Sequence, residues 1–220
     1  MVDYERIRTF LASFLQDAPE DPINQLYSEA REQGLPVIRP ETRALIETCI
    51  RAKQPVRALE IGTAIGYSAI VTLNSMGEGA RLTGMELDPA RAEAARENLA
   101  RFGYGEVSEV LCGDAAELLP TLPDATYDYI FVDAAKGQYM AYLPEVLRVA
   151  VPGAMILSDN ILQDYTVMDS RFMVERRDRT IHARIREYLY ALTHDERLTT
   201  SILPVGDGVA MTVVKKASLS

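Results

Sequence analysis

The run Ala58-Leu-Glu-Ile-Gly-Thr-Ala-Ile-Gly-Tyr-Ser68 constrains this 220-residue chain more than any other stretch. Residues 56–61 predict a buried strand, residues 62–66 a glycine turn, and the residues after them the first turn of a helix. Such a junction is expected to leave backbone N–H groups unpaired at the positive end of the helix dipole. Gly62 and Gly66 are expected to let a ligand approach the main chain where a Cβ would block it. The spacing Gly62-Thr-Ala-Ile-Gly66 breaks the Gly-x-Gly-x-x-Gly fingerprint of dinucleotide folds. Glu60 stands just before the turn, where a carboxylate repels a pyrophosphate but suits an ammonium group. Glu86 ends the next expected strand, residues 81–86, and is placed to accept from ribose hydroxyls. An acid, a short glycine turn and a second acid favour S-adenosylmethionine over NAD as the ligand.

The rest of the chain continues the alternation. Strands are expected at 107–111, 129–133 and 154–158, and helices at 65–76, 88–103 and 139–150, with a short one near 114–119. Asp88-Pro89 reads as a helix start with proline at its first position. Strands this rich in Val, Ile and Leu suit a parallel sheet covered on both faces. Residues 199–204 and 209–214, around Val205-Gly-Asp-Gly208, read as an antiparallel hairpin. Ahead of the first core strand, Tyr4, Ile7, Phe10, Leu11, Phe14 and Leu15 recur at helical spacing, and a second helix is expected after Asp21-Pro22. These helices must pack on the α/β body or on another subunit, and a homodimer with residues 4–15 near its interface is expected. With no repeat or linker, the chain reads as a single domain, a helical extension over residues 1–54 preceding a core over 55–220.

Composition narrows the partners. A net charge of -9 argues against uniform coating of nucleic acid and leaves room for a local basic patch. One lies between residues 171 and 186, where Arg171, Arg176, Arg177, Arg179, Arg184 and Arg186 face only Glu175 and Asp178. Cys49 and Cys112 cannot build a disulfide scaffold and are read as reduced and buried. No apolar run reaches the roughly 18 residues of a membrane span, and the first residues carry no export signal. A cytoplasmic location away from membranes is the expectation.

In an open parallel sheet, ligands bind beyond the carboxyl ends of the strands. There the sequence places Glu60, Glu86, Asp114, Asp133 and the pair Asp159-Asn160. Asp133, Asp159 and Asn160 make a set of hard oxygen donors suited to Mg²⁺, or similarly to Mn²⁺ or Ca²⁺. His182 and His194 show no zinc-ligand spacing and are read as helix-surface residues. Lys136 follows Asp133 by three residues, where a lysine can accept a substrate hydroxyl proton if burial and a nearby cation keep it neutral.

Four motifs carry a resemblance over nearly the whole chain. Leu59-Glu-Ile-Gly-Thr-Ala-Ile-Gly-Tyr-Ser68, Val132-Asp-Ala-Ala-Lys-Gly-Gln-Tyr139, Ser158-Asp-Asn160 and Pro204-Val-Gly-Asp-Gly208 resemble the cation-dependent O-methyltransferases, the family of catechol and caffeoyl-CoA O-methyltransferases. The resemblance implies a Rossmann-like α/β fold with a seven-stranded sheet of order 3-2-1-4-5-7-6, strand 7 antiparallel. It implies that Asp133, Asp159 and Asn160 bind Mg²⁺ and that Lys136 is the general base. It also implies that Ile38, Glu60, Gly62, Ser68, Glu86, Asp114, Ala115 and Asp133 line the S-adenosylmethionine site. Ala64 stands where such turns often carry a middle glycine. Within the family, the motifs and length look closest to the short bacterial branch that methylates 5-hydroxyuridine in tRNA, with small catechols as the alternative substrates. Arg176, Arg177 and Arg179 are then expected to hold tRNA phosphates.

Overall fold

Seven strands form one sheet in the computed structural model, which describes residues 6–7, 9–10, 13–14, 18, 20–162, 166–168, 174–175 and 179–216. They are β1 (Arg57–Ile61), β2 (Arg81–Glu86), β3 (Ser108–Cys112), β4 (Tyr127–Val132), β5 (Ala150–Ser158), β6 (Leu198–Leu203) and β7 (Val209–Val214). Their order is β3-β2-β1-β4-β5-β7-β6, with β1 to β5 paired in parallel and β7 antiparallel to β5 and β6. This is the order, and the single reversal of strand sense, that the motifs implied. The winding changes direction between β1 and β4, which opens a crevice at their carboxyl ends.

Four of the described helices start at an aspartate cap, a proline or both. The helices are α1 (Pro22–Glu32), α2 (Pro40–Lys53), α3 (Tyr67–Ser75), α4 (Pro89–Arg101), α5 (Ala115–Leu118), α6 (Tyr139–Val149) and α7 (Arg179–His194). Asp21, Asp88 and Asp114 cap α1, α4 and α5 by accepting first-turn N–H groups at 2.8–3.1 Å. Proline occupies the first position of α1, α2 and α4, where its missing N–H removes nothing.

Side-chain alternation along the strands sends apolar groups to both faces. Tyr129 and Phe131 of β4 join Ile46, Ile50, Ile70 and Leu99 on one face, and Ile130 and Val132 join Val146, Ile185 and Tyr188 on the other. Each fully buried Ile or Leu side chain here contributes about 1.5–3 kcal/mol.

Several expectations need correction. β5 begins at Ala150, not at residue 154, because Ala150 pairs with Tyr127 and Met155 with Tyr129. The surplus residues bulge past Asp128, with Gly153 at φ 87° and Pro152 needing no ladder partner. Cys112 is exposed at the end of β3, and only Cys49 is buried, its sulfur 3.8 Å from that of Met211. His182 is a buried residue of α7, not a surface one. In the N-terminal segment Ile7, Phe10 and Phe14 are 42%, 62% and 69% exposed, while Tyr4, Leu11 and Leu15 lie outside the described residues. Among the described residues no helix is long and apolar enough to cross a membrane.

Candidate active site

The glycine turn is built for close packing of the chain on itself. Gly62 has φ 94°, and a Cβ there would sit 2.1 Å from the carbonyl oxygen of Asp133. Gly66 is at φ 85°, and a Cβ there would sit 3.2 Å from the carbonyl oxygen of Ala95 on α4. Both glycines are therefore required by the protein's own backbone, not by a ligand alone as the spacing suggested. The N–H groups of Gly62 and Thr63 donate to Met85 O, that of Ala64 to Glu86 Oε2, and that of Gly66 to Thr63 O. These four amides, expected to be unpaired, are already satisfied.

The two glutamates take different positions. Glu86 is bound at both oxygens, Oε2 accepting from Ala64 N at 2.8 Å and Oε1 from Asp88 N at 2.9 Å. It thus staples the turn to β2 while one edge still faces the cavity described below. Glu60 is 1% exposed and lies behind the cavity wall, where its Oε1 accepts from Ser68 Oγ at 2.6 Å. Its Oε2 has no hydrogen-bond partner among the described residues. Burial first, offset by the Ser68 hydrogen bond and reinforced by the Asp133 and Glu86 charges, pushes the Glu60 carboxyl up to about 8.

A cavity of about 460 Å³ lies over the carboxyl ends of β1, β2 and β4. Of the residues singled out in the sequence, Ile38, Gly62, Ser68, Glu86, Asp114 and Ala115 line it, and so do Asp133, Asp159 and Asn160. Glu60 and Lys136 do not. Arg39, Tyr67, Leu87, Arg91, Tyr142 and Asp207 also line it; Tyr67 and Asp207 lie within the quoted motifs, but none of the six was singled out as a site residue. Arg39 and Asp207 meet as a fork, Nε to Oδ2 at 2.9 Å and Nη2 to Oδ1 at 2.6 Å, which ties the 36–39 connector to the β6–β7 turn. Only a carboxylate in a predicted turn and an arginine before a proline hinted at that pair.

Asp133, Asp159 and Asn160 come together at one side of this cavity. Asn160 Nδ2 donates to Asp133 Oδ1 at 2.6 Å, and Asn160 N donates to Asp159 Oδ1 at 2.8 Å. Asn160 adopts φ 60°, a left-handed conformation that asparagine tolerates better than most residues. Burial raises the carboxyls of both Asp133 and Asp159, and the Asp133 charge raises Asp159 further. Lys136, in the 3₁₀ turn Lys136–Gln138, lies near enough for its charge to oppose both shifts. No group of three or more His, Cys, Asp or Glu side chains able to hold a metal occurs among the described residues, the set here being two acids and one amide.

The basic patch is only partly described. Arg176 and Arg177 lie outside the described residues. Arg179 Nε donates to Val174 O at 3.1 Å, Arg184 Nη1 to Gly137 O at 3.0 Å, and Arg186 Nη1 to Val167 O at 3.0 Å. Each of these three arginines ties α7 to a neighbouring loop, and Arg184 holds the turn that carries Lys136.

Sheet order and a crevice rimmed by a glycine turn and strand-end acids define a Rossmann-like methyltransferase. Residues 31–217 match the O-methyltransferase family, and the chain belongs to it. It is an S-adenosylmethionine-dependent O-methyltransferase by class. Catechol O-methyltransferase of Mycobacterium tuberculosis is 34% identical over 168 residues, 74% of each chain. Catechol O-methyltransferase of Niastella koreensis is 31% identical over 155 residues, 68% of this chain and 70% of that one. Among solved structures, the O-methyltransferase TomG of Streptomyces achromogenes, in complex with SAM, is 27% identical with a TM-score of 0.82, covering 98% of this chain and 100% of that one.

Proposed function

We propose that the chain methylates one of two adjacent oxygens, with the 5-hydroxyl of 5-hydroxyuridine in tRNA as the acceptor and a divalent cation as cofactor. The observation that carries this reading is one cavity shared by Glu86, Asp114 and the glycine turn at one side and by Asp133, Asp159 and Asn160 at the other. The donor set fits a hard cation, because two buried carboxylates whose charges are mutually unfavourable converge with an amide that supplies a third oxygen. Such a cation, most simply Mg²⁺, would supply Lewis-acid activation of the acceptor hydroxyl, and S-adenosylmethionine would supply an electrophilic methyl group.

The chain's residues do the rest. Ile38, Gly62, Ser68, Glu86, Asp114 and Ala115 line the methyl-donor side, Asp133 serves both the methyl donor and the cation side, and Glu60 acts from behind through Ser68. Asp133, Asp159 and Asn160 would hold the cation. In its neutral amine form, Lys136 Nζ takes the acceptor hydroxyl proton as the C–O bond forms and the S–C bond breaks, and S-adenosylhomocysteine leaves. For tRNA, the reading is supported by the motif runs around residues 59–68 and 133–139 and by the arginines of 171–186. A guanidinium has five N–H donors, so one bond to a carbonyl does not exhaust Arg179 for phosphate contacts. A homodimer, with the exposed Phe10 and Phe14 near its interface, belongs to the same proposal.

A second reading, methylation of small catechols, is favoured by the two relatives named for that activity. Transfer of labelled methyl from S-adenosylmethionine to hydroxyuridine-containing tRNA and to catechol, with and without EDTA, separates the two. The tRNA reading expects label in tRNA, lost on chelation and reduced by raised salt. Label in catechol alone overturns it, and full activity after exhaustive chelation overturns the cation.

A further inference from the structure

Two tyrosines from different helices reach the strand ends that carry the oxygen donors. Tyr139, the first residue of α6, is 1% exposed, and its hydroxyl lies 3.0 Å from Asp159 O and 3.3 Å from Val132 O. Val132 is the last residue of β4, immediately before Asp133, and its carbonyl also accepts from Asp159 N at 3.0 Å. A phenol has one hydrogen to give, and the shorter contact assigns it to Asp159 O. Tyr188 of α7 packs edge-on against the Tyr139 ring at 5.4 Å, and its own hydroxyl meets Ser158 Oγ at 2.7 Å.

The peptide between Asp159 and Asn160 is therefore gripped at both ends. Its carbonyl oxygen takes the Tyr139 hydrogen, and its N–H is held by the Asp159 carboxylate at 2.8 Å. Its far residue, Asn160, stands at φ 60°, a conformation with little intrinsic preference to keep it there. Without the phenol, the Asp159 carbonyl loses its side-chain partner beside a strained residue, and rotation of that peptide swings the Asn160 amide away from Asp133.

We infer that Tyr139 is a positioning residue whose hydroxyl fixes the Asp159–Asn160 peptide, and with it the convergence of Asp133, Asp159 and Asn160 on a cation. The inference rests on the cation reading proposed above. Tyr139→Phe deletes one oxygen and leaves the ring against Tyr188, and circular dichroism and Tm establish that the variant is folded. Titration with Mn²⁺, followed by the electron paramagnetic resonance signal of the free ion, is expected to show about 10–100-fold weaker binding. Affinity for S-adenosylhomocysteine should be unchanged. Tyr188→Phe removes the adjacent buried hydroxyl without touching the Asp159 carbonyl, and should lower Tm while keeping wild-type Mn²⁺ affinity. Unchanged Mn²⁺ affinity in Tyr139→Phe, or equal weakening in both tyrosine variants, overturns the inference. Asp159→Ala in the same titration separates the two ways of failing. If it loses Mn²⁺ while Tyr139→Phe keeps it, only the role of Tyr139 falls. If wild type and Asp159→Ala behave alike, the cation reading falls and takes this inference with it.

Discussion

The surroundings of Glu60 oppose its ionisation. Its folded-state value of about 8 lies above the ordinary carboxyl value of 4.5, so the folded protein binds the proton more tightly than the unfolded chain. The stability this contributes is complete below the unfolded value and is lost as pH rises through the folded one, by at most about 1.4 kcal/mol per pH unit. Urea unfolding at pH 5, 6.5 and 8 should show wild type losing stability across that window, and Glu60→Gln losing less. Parallel profiles would mean that Glu60 ionises without penalty. Lys136 lies near enough to both aspartates to bear on their ionisation. Lys136→Ala should lower kcat by roughly 10²-fold, the scale of a positioned proton acceptor. A rise in KM at constant kcat would make it a binding residue instead.

At the scale of elements, the turn after β1 and the turn before α6 are each held by a partner remote in sequence. Gly62→Ala forces a Cβ against the Asp133 carbonyl and adds left-handed strain, together roughly 2–5 kcal/mol. Gly79, at φ 78° but with open space around it, isolates the strain alone, and Gly79→Ala should cost about 1–2 kcal/mol. Chemical denaturation of the two variants checks the difference, and equal losses would show that the approach of β1 to β4 relaxes freely. Arg184 ties Gly137 to α7 from an exposed position. Arg184→Ala should therefore change stability by no more than about 0.5 kcal/mol. Its kcat should fall about tenfold, less than the loss from removing Lys136 itself. An unchanged kcat would mean that the Lys136 turn holds its shape without α7.

At the scale of the molecule, Ile7, Phe10 and Phe14 present apolar surface that nothing described in the chain covers, and a homodimer is the assembly proposed to bury it. Light scattering at micromolar concentration should give twice the 24.4 kDa chain mass, and a monomeric mass rules the dimer out. What the sequence determined by itself is what local chemistry determines. Val, Ile and Leu runs set the strands, Asp21, Asp88 and Asp114 set helix starts, and the glycine turn and strand-end acids fixed which residues gather at the crevice. Strand order was legible only through the motif resemblance, because pairing joins residues far apart in the chain. Tertiary structure decided what each polar group meets. It turned Glu60 inward to Ser68, occupied both oxygens of Glu86, paired Arg39 with Asp207 across the cavity, and set Tyr139 and Tyr188 against the ends of β4 and β5. A residue's type states which bonds it can make, and only the packing of distant segments states which of them it does make.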